Sequence, residues 1–183
     1  MPARVGVLAL QGDFEAHGKV LRALGADVRE LRALADFDGL DALVIPGGES
    51  TTMTLGIERE GIAGALREVC AAVPVLGTCA GMIMLDVEHL GVLDMRCVRN
   101  AFGRQVRSFE GDVSLEGFAE PFHAIFIRAP WVAEHGPGID VLAEVGGHPV
   151  AVACGAVTAV AFHPELHGDD RLHRRLLEQV ACA

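Results

Sequence analysis

Lysine is nearly missing from this chain. Lys19 is the only one, and 15 basic residues stand against 25 acidic ones for a net charge of −10. A chain this acidic lacks the basic face that nucleic-acid binding needs. No apolar run reaches the roughly 20 residues of a membrane helix. The longest, Val150 to Phe162, is interrupted by Gly155 and Thr158. Nor does the start read as a signal peptide, because the apolar stretch within Met1 to Leu10 is short and Asp13 and Glu15 follow at once. Export and membrane insertion are therefore not expected. The cysteines are Cys70, Cys79, Cys97, Cys154 and Cys182. Their number is odd and no C-x-x-C pair occurs, which argues against a disulfide framework or a zinc site. Reduced thiols in a cytoplasmic setting fit that pattern. A G-x-x-x-x-G-K phosphate loop is missing too, as are internal repeats, low-complexity tracts and linkers.

What is present describes a compact globular chain. Hydrophobic residues make up 51% of it and charged ones 22%. At 183 residues it is expected to form one domain, 1–183, large enough to bury a sizeable core. In the first half, strand-like and helix-like pieces alternate. Arg4 to Leu10, Asp27 to Leu31, Ala42 to Ile45 and Val73 to Leu76 read as short strands. Phe14 to Leu24 and Glu60 to Ala71 carry apolar residues at helical spacing, and a further helix begins at Ala80 to Leu85. Val92 to Leu115 reads as hairpins at one edge of the sheet. Val141 to Val145, Val150 to Cys154 and Ala156 to Phe162 are further strands, and Asp169 to Ala181 is a closing helix. Its Leu172, Leu176, Leu177 and Val180 face inward, with Arg171, Arg174 and Arg175 outward. The expected fold is α/β: a mostly parallel, three-layer sheet with helices on both faces and an antiparallel edge extension.

Three segments carry the chemistry. Gly77-Thr78-Cys79-Ala80-Gly81 follows an apolar run, the pattern of a strand turning sharply into a helix. It is the cysteine version of the elbow that exposes a nucleophilic serine. His163-Pro164-Glu165 supplies an imidazole and a carboxylate two residues apart. Cys79 would attack, His163 would move the proton, and Glu165 would orient the ring. A free thiol is mostly protonated near neutrality, so a neighbouring imidazolium or helix N-terminus must favour the thiolate. Pro46-Gly47-Gly48-Glu49-Ser50-Thr51-Thr52 also follows an apolar strand. Its backbone N–H groups, with that of Ala80, suit an oxyanion site. In such a sheet these loops meet beyond the carboxyl ends of the strands. Plainer readings remain for each part. Cys79 could be a small core residue, His163-Pro164-Glu165 a surface turn, Gly47-Gly48 a turn capped by Ser50 or Thr51 at a helix start, and Arg99 and Arg128 ordinary solvated charges. The other histidines (His17, His89, His123, His135, His148, His167 and His173) lack a carboxylate two residues on after a buried strand, His167 with Asp169 loosely excepted. They read as surface or structural residues.

Together these residues resemble the class I, or triad, glutamine amidotransferases, and the likeness covers nearly the whole chain. G-x-C-x-G and His-Pro-Glu mark the class. Arg99 to Gln105 and Phe126-Ile127-Arg128-Ala129-Pro130 share the likeness, and Leu10-Gln11-Gly12, Gly47 to Thr52 and Phe102-Gly103-Arg104-Gln105 narrow it to members that serve pyridoxal 5′-phosphate synthesis. The resemblance implies a glutaminase that hydrolyses L-glutamine and passes ammonia to a separate (β/α)8-barrel synthase subunit in a hetero-oligomer, with no cofactor and no metal of its own. It implies glutamine contacts from Gly47, Gly48, Glu49, Ser50, Arg99, Ile127 and Arg128, and oxyanion donors at Gly48 and Ala80. An arginine suits an α-carboxylate, and Glu49 suits an α-ammonium. His17 occupies a position similar to the family's partner-facing surface. One departure is a segment, Met84 to Gly91, shorter than is usual after the nucleophile helix. A glutaminase for another synthase, such as one of histidine biosynthesis, and a non-catalytic binding protein of the same topology are the competing readings.

Overall fold

The computed structural model describes residues 1–102 and 108–182. The elements in chain order are β1 (Arg4–Leu8), α1 (Phe14–Ala23), β2 (Asp27–Leu31), β3 (Ala42–Ile45), α2 (Ser50–Glu60), α3 (Ala63–Ala72), β4 (Val75–Thr78) and α4 (Ala80–Met84). They continue with β5 (Met95–Val98), β6 (Ser108–Val113), β7 (Phe122–Ile127), β8 (Trp131–His135), β9 (Asp140–Val145), β10 (His148–Cys154), β11 (Val157–Val160) and α5 (Arg171–Ala181).

Seven strands form one sheet in the order β2-β1-β3-β4-β11-β10-β9. The first five run parallel, and β10 and β9 extend the edge in antiparallel sense. The central strands β3, β4 and β11 are buried at every position. That is the pattern of parallel strands covered on both faces, and it explains their continuous apolar runs. The connections from β1 to β2 and from β3 to β4 leave in opposite directions. Right-handed crossovers therefore place α1 on one face and α2 and α3 on the other. α5 shares the face of α1, since His17 and His173 of these two helices touch.

One expectation is filled out and one corrected. The helix start at Ser50 opens a full helix, α2 (Ser50–Glu60). Glu49 caps it by accepting the Thr52 N–H at 2.8 Å, and Gly61, at φ 65°, ends it before α3 begins. Secondly, the hairpin-like stretch from Val92 does not extend the edge of the main sheet. β5 pairs with β8 and β6 with β7, as separate two-stranded ladders. The reason is aromatic packing. Phe109 of β6 stacks on Phe126 of β7 with centroids 4.5 Å apart, and Phe126 meets Phe162 at 5.8 Å. Phe102 packs edge-on against Phe109 and Trp131. Such pairs contribute about 0.5–1.5 kcal/mol each beyond burial. They hold the β6–β7 ladder beside Phe162, where β11 ends, and so bring Ile127 and Arg128 beside His163.

Candidate active site

β1, β3, β4 and β11 end together, and the loops leaving them supply Asp13, Gly47-Gly48, Cys79 and His163. The sheet's connections reverse direction between β1 and β3, where ligands settle in folds of this type. One cavity of about 370 Å³ lies there, lined by Asp13, Gly48, Glu49, Ser50, Cys79, Ala80, Ile83, Arg99, Asn100, Ile127, Arg128 and His163. Every residue expected at the site borders it except Gly47 and Glu165. Gly47 sits directly behind, where a side chain would strike the His163 ring. Glu165 lies behind His163, with its side chain fully buried.

Cys79 stands at the junction of β4 and α4 with φ 48°. A non-glycine residue there is strained, and strain of this kind gathers at functional positions. The turn is tight because Gly81 packs so closely on the Ile45 carbonyl that a Cβ would collide with it. Cys79 is only 5% exposed, and its Sγ lies 3.7 Å from the Ile127 carbonyl. The first N–H groups of α4 have no carbonyl partner inside the helix.

His163 is held through Nδ1, 2.7 Å from Glu165 Oε1 and 3.4 Å from Asp13 Oδ2. That leaves Nε2 as the nitrogen available to sulfur. Burial disfavours a charged ring, yet hydrogen bonds to Asp13, Cys79 and Glu165 outweigh it and raise the His163 pKa to about 12. The His163 hydrogen bond in turn holds the Asp13 carboxyl below its usual range, against partial burial. A cationic imidazole beside the sulfur has a proton to deliver. Asp13, His163 and Glu165 bring one potential ligand atom each within 4.8 Å of one another, the only such trio among the described residues.

The Gly47-Gly48 peptide is set by the β1–α1 loop. Its Gly47 carbonyl accepts the Asp13 N–H at 3.3 Å, and Gly48 adopts φ 140°, which favours glycine. Gln11 Oε1 accepts the N–H of Glu49 at 2.8 Å. At the rim, Arg99 and Glu49 pair with each other at 2.7 Å, and Arg99 also reaches Thr51 Oγ1 at 3.0 Å. Arg128, at φ 47°, makes no hydrogen bond or ion pair among the described residues. Of the segment Arg99 to Gln105, Gly103, Arg104 and Gln105 lie outside the described residues. The compact Met84–Gly91 segment is organised by buried Asp86, which meets His89 Nδ1 at 2.7 Å and the N–H groups of Glu88 and Cys97.

Sequence reasoning missed Asp13, although it directly follows Gly12 beyond the end of β1, where a ligand-facing loop is expected. It read His17 as surface or structural, at a position similar to the family's partner-facing surface. His17 is fully buried against Thr78, Glu165 and His173, because α1 packs its His17-Gly18-Leu21 face onto the sheet.

A family model described as the SNO glutamine amidotransferase family matches residues 7–182. A protein of Mycolicibacterium vanbaalenii called "Pyridoxal 5'-phosphate synthase subunit PdxT" is 51% identical, over 97% of this chain and 98% of its own. One of the same description from Mycobacterium tuberculosis (strain ATCC 25618 / H37Rv) is 48% identical over 98% of each. A solved structure titled "Crystal structure of glutamine amidotransferase" superimposes with a TM-score of 0.89 at 46% identity, covering 97% of this chain and 98% of that one. Another, titled "Structure of PurLQS from Thermotoga maritima", shares the fold, with a TM-score of 0.72 at 17% identity over 100% of this chain and 99% of that one.

Proposed function

The chain belongs to the SNO glutamine amidotransferase family, and from that membership we propose that it hydrolyses L-glutamine and hands the ammonia to a pyridoxal 5′-phosphate synthase, with Cys79, His163 and Glu165 as its triad. The observation that carries this is the placement of a strained, cavity-facing Cys79 against a His163 whose Nδ1 is tied to a buried Glu165 at 2.7 Å. The partner is a (β/α)8-barrel subunit, the whole chain acts as one domain, and the pair works in the cytoplasm.

The chemistry follows from the geometry. The Cys79 sulfur attacks the side-chain amide carbon of glutamine, and the carbonyl π pair moves onto oxygen. Ala80 N–H and Gly48 N–H receive that oxyanion. The intermediate collapses, the C–N bond breaks, and His163 delivers its proton to the departing nitrogen. Ammonia leaves a thioester on Cys79. Water then attacks as His163 takes its proton, and the C–S bond breaks to release glutamate. Glu165 keeps the ring oriented and supports its positive form. The substrate's α-carboxylate meets Arg128 and Arg99, and its α-ammonium meets Glu49. The existing Arg99–Glu49 pair would open to admit them, and with both partners about half exposed that exchange is not costly. Ser50 and the Ile127 segment complete the walls.

The Gly47 carbonyl is engaged by Asp13 N–H in the free chain. Docking of the synthase against the Gln11 to Asp13 loop ahead of α1 would reset that peptide and switch the site on, a shift worth roughly 1–3 kcal/mol. The experiment is glutamate release at saturating glutamine, with and without the synthase subunit, for the wild type and Cys79→Ala. Turnover should need Cys79 and rise when the synthase is added. Activity in Cys79→Ala would overturn the triad, and equal turnover in both conditions would remove partner gating.

A further inference from the structure

Behind Glu165 lies a buried pair of histidines that this chemistry does not use. His17 of α1 and His173 of α5 are both fully buried. His17 Nδ1 and His173 Nε2 are 2.8 Å apart. On its other side, His17 Nε2 lies 3.1 Å from Thr78 Oγ1 and 3.4 Å from Glu165 Oε2. Thr78 is the residue before the nucleophile. Glu165 Oε2 and His173 Nδ1 are buried without a hydrogen-bond partner among the described residues.

These contacts assign the protons. An ionised carboxylate only accepts, so the His17 nitrogen facing Glu165 carries the hydrogen. A neutral His17 then presents a lone pair at Nδ1, and His173 must donate from Nε2. His173 Nδ1 is left bare, as its lack of a partner requires of a neutral ring. Burial keeps both rings neutral. It lowers His17 well below the usual imidazole range, and a positive charge on His173 or His163 would push it the same way. It lowers His173 to about 4, against the opposing pull of Asp170 and Asp169. The titratable groups around the pair are thus His163 and Glu165 from the loop after β11, Asp169 and Asp170 ahead of α5, and Asp13 before α1.

We infer, resting on the triad reading above, that His17 and His173 are positioning residues of the glutaminase: His17 Nε2–H holds the second oxygen of Glu165, and His173 Nε2–H fixes the ring that does so. Glu165 spends Oε1 on His163. Its rotation is then decided by whatever holds Oε2, and that oxygen is sealed from water. The 3.4 Å separation exceeds a good hydrogen bond and is shared with Thr78. Without the His17 donor, a buried oxygen is left unpaired and Glu165 supports the imidazolium less well.

The test compares His17→Phe, which removes both nitrogens, with His17→Gln, which restores an amide N–H near the Nε2 position. Glutamate release is measured with the synthase subunit present, across glutamine concentration and pH. Labelling of wild-type Cys79 by the glutamine analogue acivicin is measured alongside. His17→Phe should lose about 10–100-fold in kcat, on the scale seen when the outer partner that orients a metal-binding side chain is removed. KM should hold, and the alkaline limb of the kcat/KM profile should move to lower pH as His163 loses support. His17→Gln should recover much of the loss. A folded His17→Phe with wild-type kcat, while Cys79 is labelled, would overturn the positioning role and leave the triad standing. No labelling of Cys79 would overturn both. Should His17→Phe fail to fold, His173→Phe against His173→Gln decides, and equal kcat in these two overturns the proposal.

Discussion

Gly47→Ala is the sharpest perturbation of the site, because it adds a single methyl group. A Cβ at Gly47 would lie 2.9 Å from His163 Nδ1 and 3.3 Å from Cys79 Cβ, and would overlap His163 Cε1. Comfortable carbon contacts are about 3.5–4.0 Å, so the imidazole must retreat by an ångström or so. It has little room, since its Nδ1 is bonded to Glu165 at 2.7 Å and its neighbour Phe162 is packed against Phe126. Overpacking of this kind costs about 1–3 kcal/mol. For a chain of this length that lowers the melting temperature by roughly 2–10 °C. Moving a reacting group by about 1 Å costs on the order of 100-fold in rate. The variant should therefore remain folded while glutamate release, assayed with the synthase subunit, falls by about two orders of magnitude. A Gly47→Ala protein with activity within a fewfold of wild type would refute the placement of His163 and Cys79 around this glycine.

Other outcomes follow from single features. Gly64 lies in helix α3 with open space where a Cβ would go, so Gly64→Ala should raise stability by about 0.5–1 kcal/mol in urea titration, without touching activity. Acivicin should label Cys79 and spare Cys70 and Cys97. Burial raises both of those thiols to about 12, Asp86 adding to the effect at Cys97, which peptide mapping after labelling would check. His163→Asn should cripple hydrolysis nearly as fully as Cys79→Ala, and Glu165→Gln less so. The double change Cys79→Ala with His163→Asn should be no worse than either alone, because the three act as a unit. His173 is depressed from 6.5 to about 4, so the unfolded chain binds the extra proton between those values. Its contribution is present above pH 6.5 and is lost as pH falls toward 4, up to about 3 kcal/mol. Melting curves from neutrality down to about pH 4.5 should drop less steeply for His173→Gln, and equal slopes would count against a neutral buried ring.

The chemistry-bearing loops were legible because each is a local signal. Gly77-Thr78-Cys79-Ala80-Gly81 states a strand, a sharp turn and a helix within a few residues. His163-Pro164-Glu165 places the imidazole and its carboxylate on one short segment, and their 2.7 Å contact needs little help from the rest of the fold. The parallel order of the strands follows from apolar runs separated by helical periodicity. Boundaries were less exact: β4 spans Val75–Thr78 where Val73 to Leu76 was expected, and α3 starts at Ala63 rather than Glu60. Of helix α2 only the start at Ser50 or Thr51 was legible, because the Ser-Thr-Thr run that opens it also reads as a turn. Its helical state depends on the Glu49 cap and on burying Met53 and Ile57.

By itself the sequence singled out Cys79, His163 and Glu165 as the candidate nucleophile, base and acid, the strand ends that carry them, and the family likeness, since all of these are written in short contiguous spacings. Tertiary packing alone decided that Asp13 joins His163, that Arg99 and Glu49 neutralise each other at the rim, and that the aromatic cluster brings Ile127 and Arg128 to the cavity. It also turned His17 inward to meet His173, across 156 positions of chain. An isolated histidine on an amphipathic helix carries no mark of what it will face. Only the docking of α1 and α5 on the same side of the sheet places those two rings behind Glu165. That burial, rather than any local pattern, disfavours their charged forms.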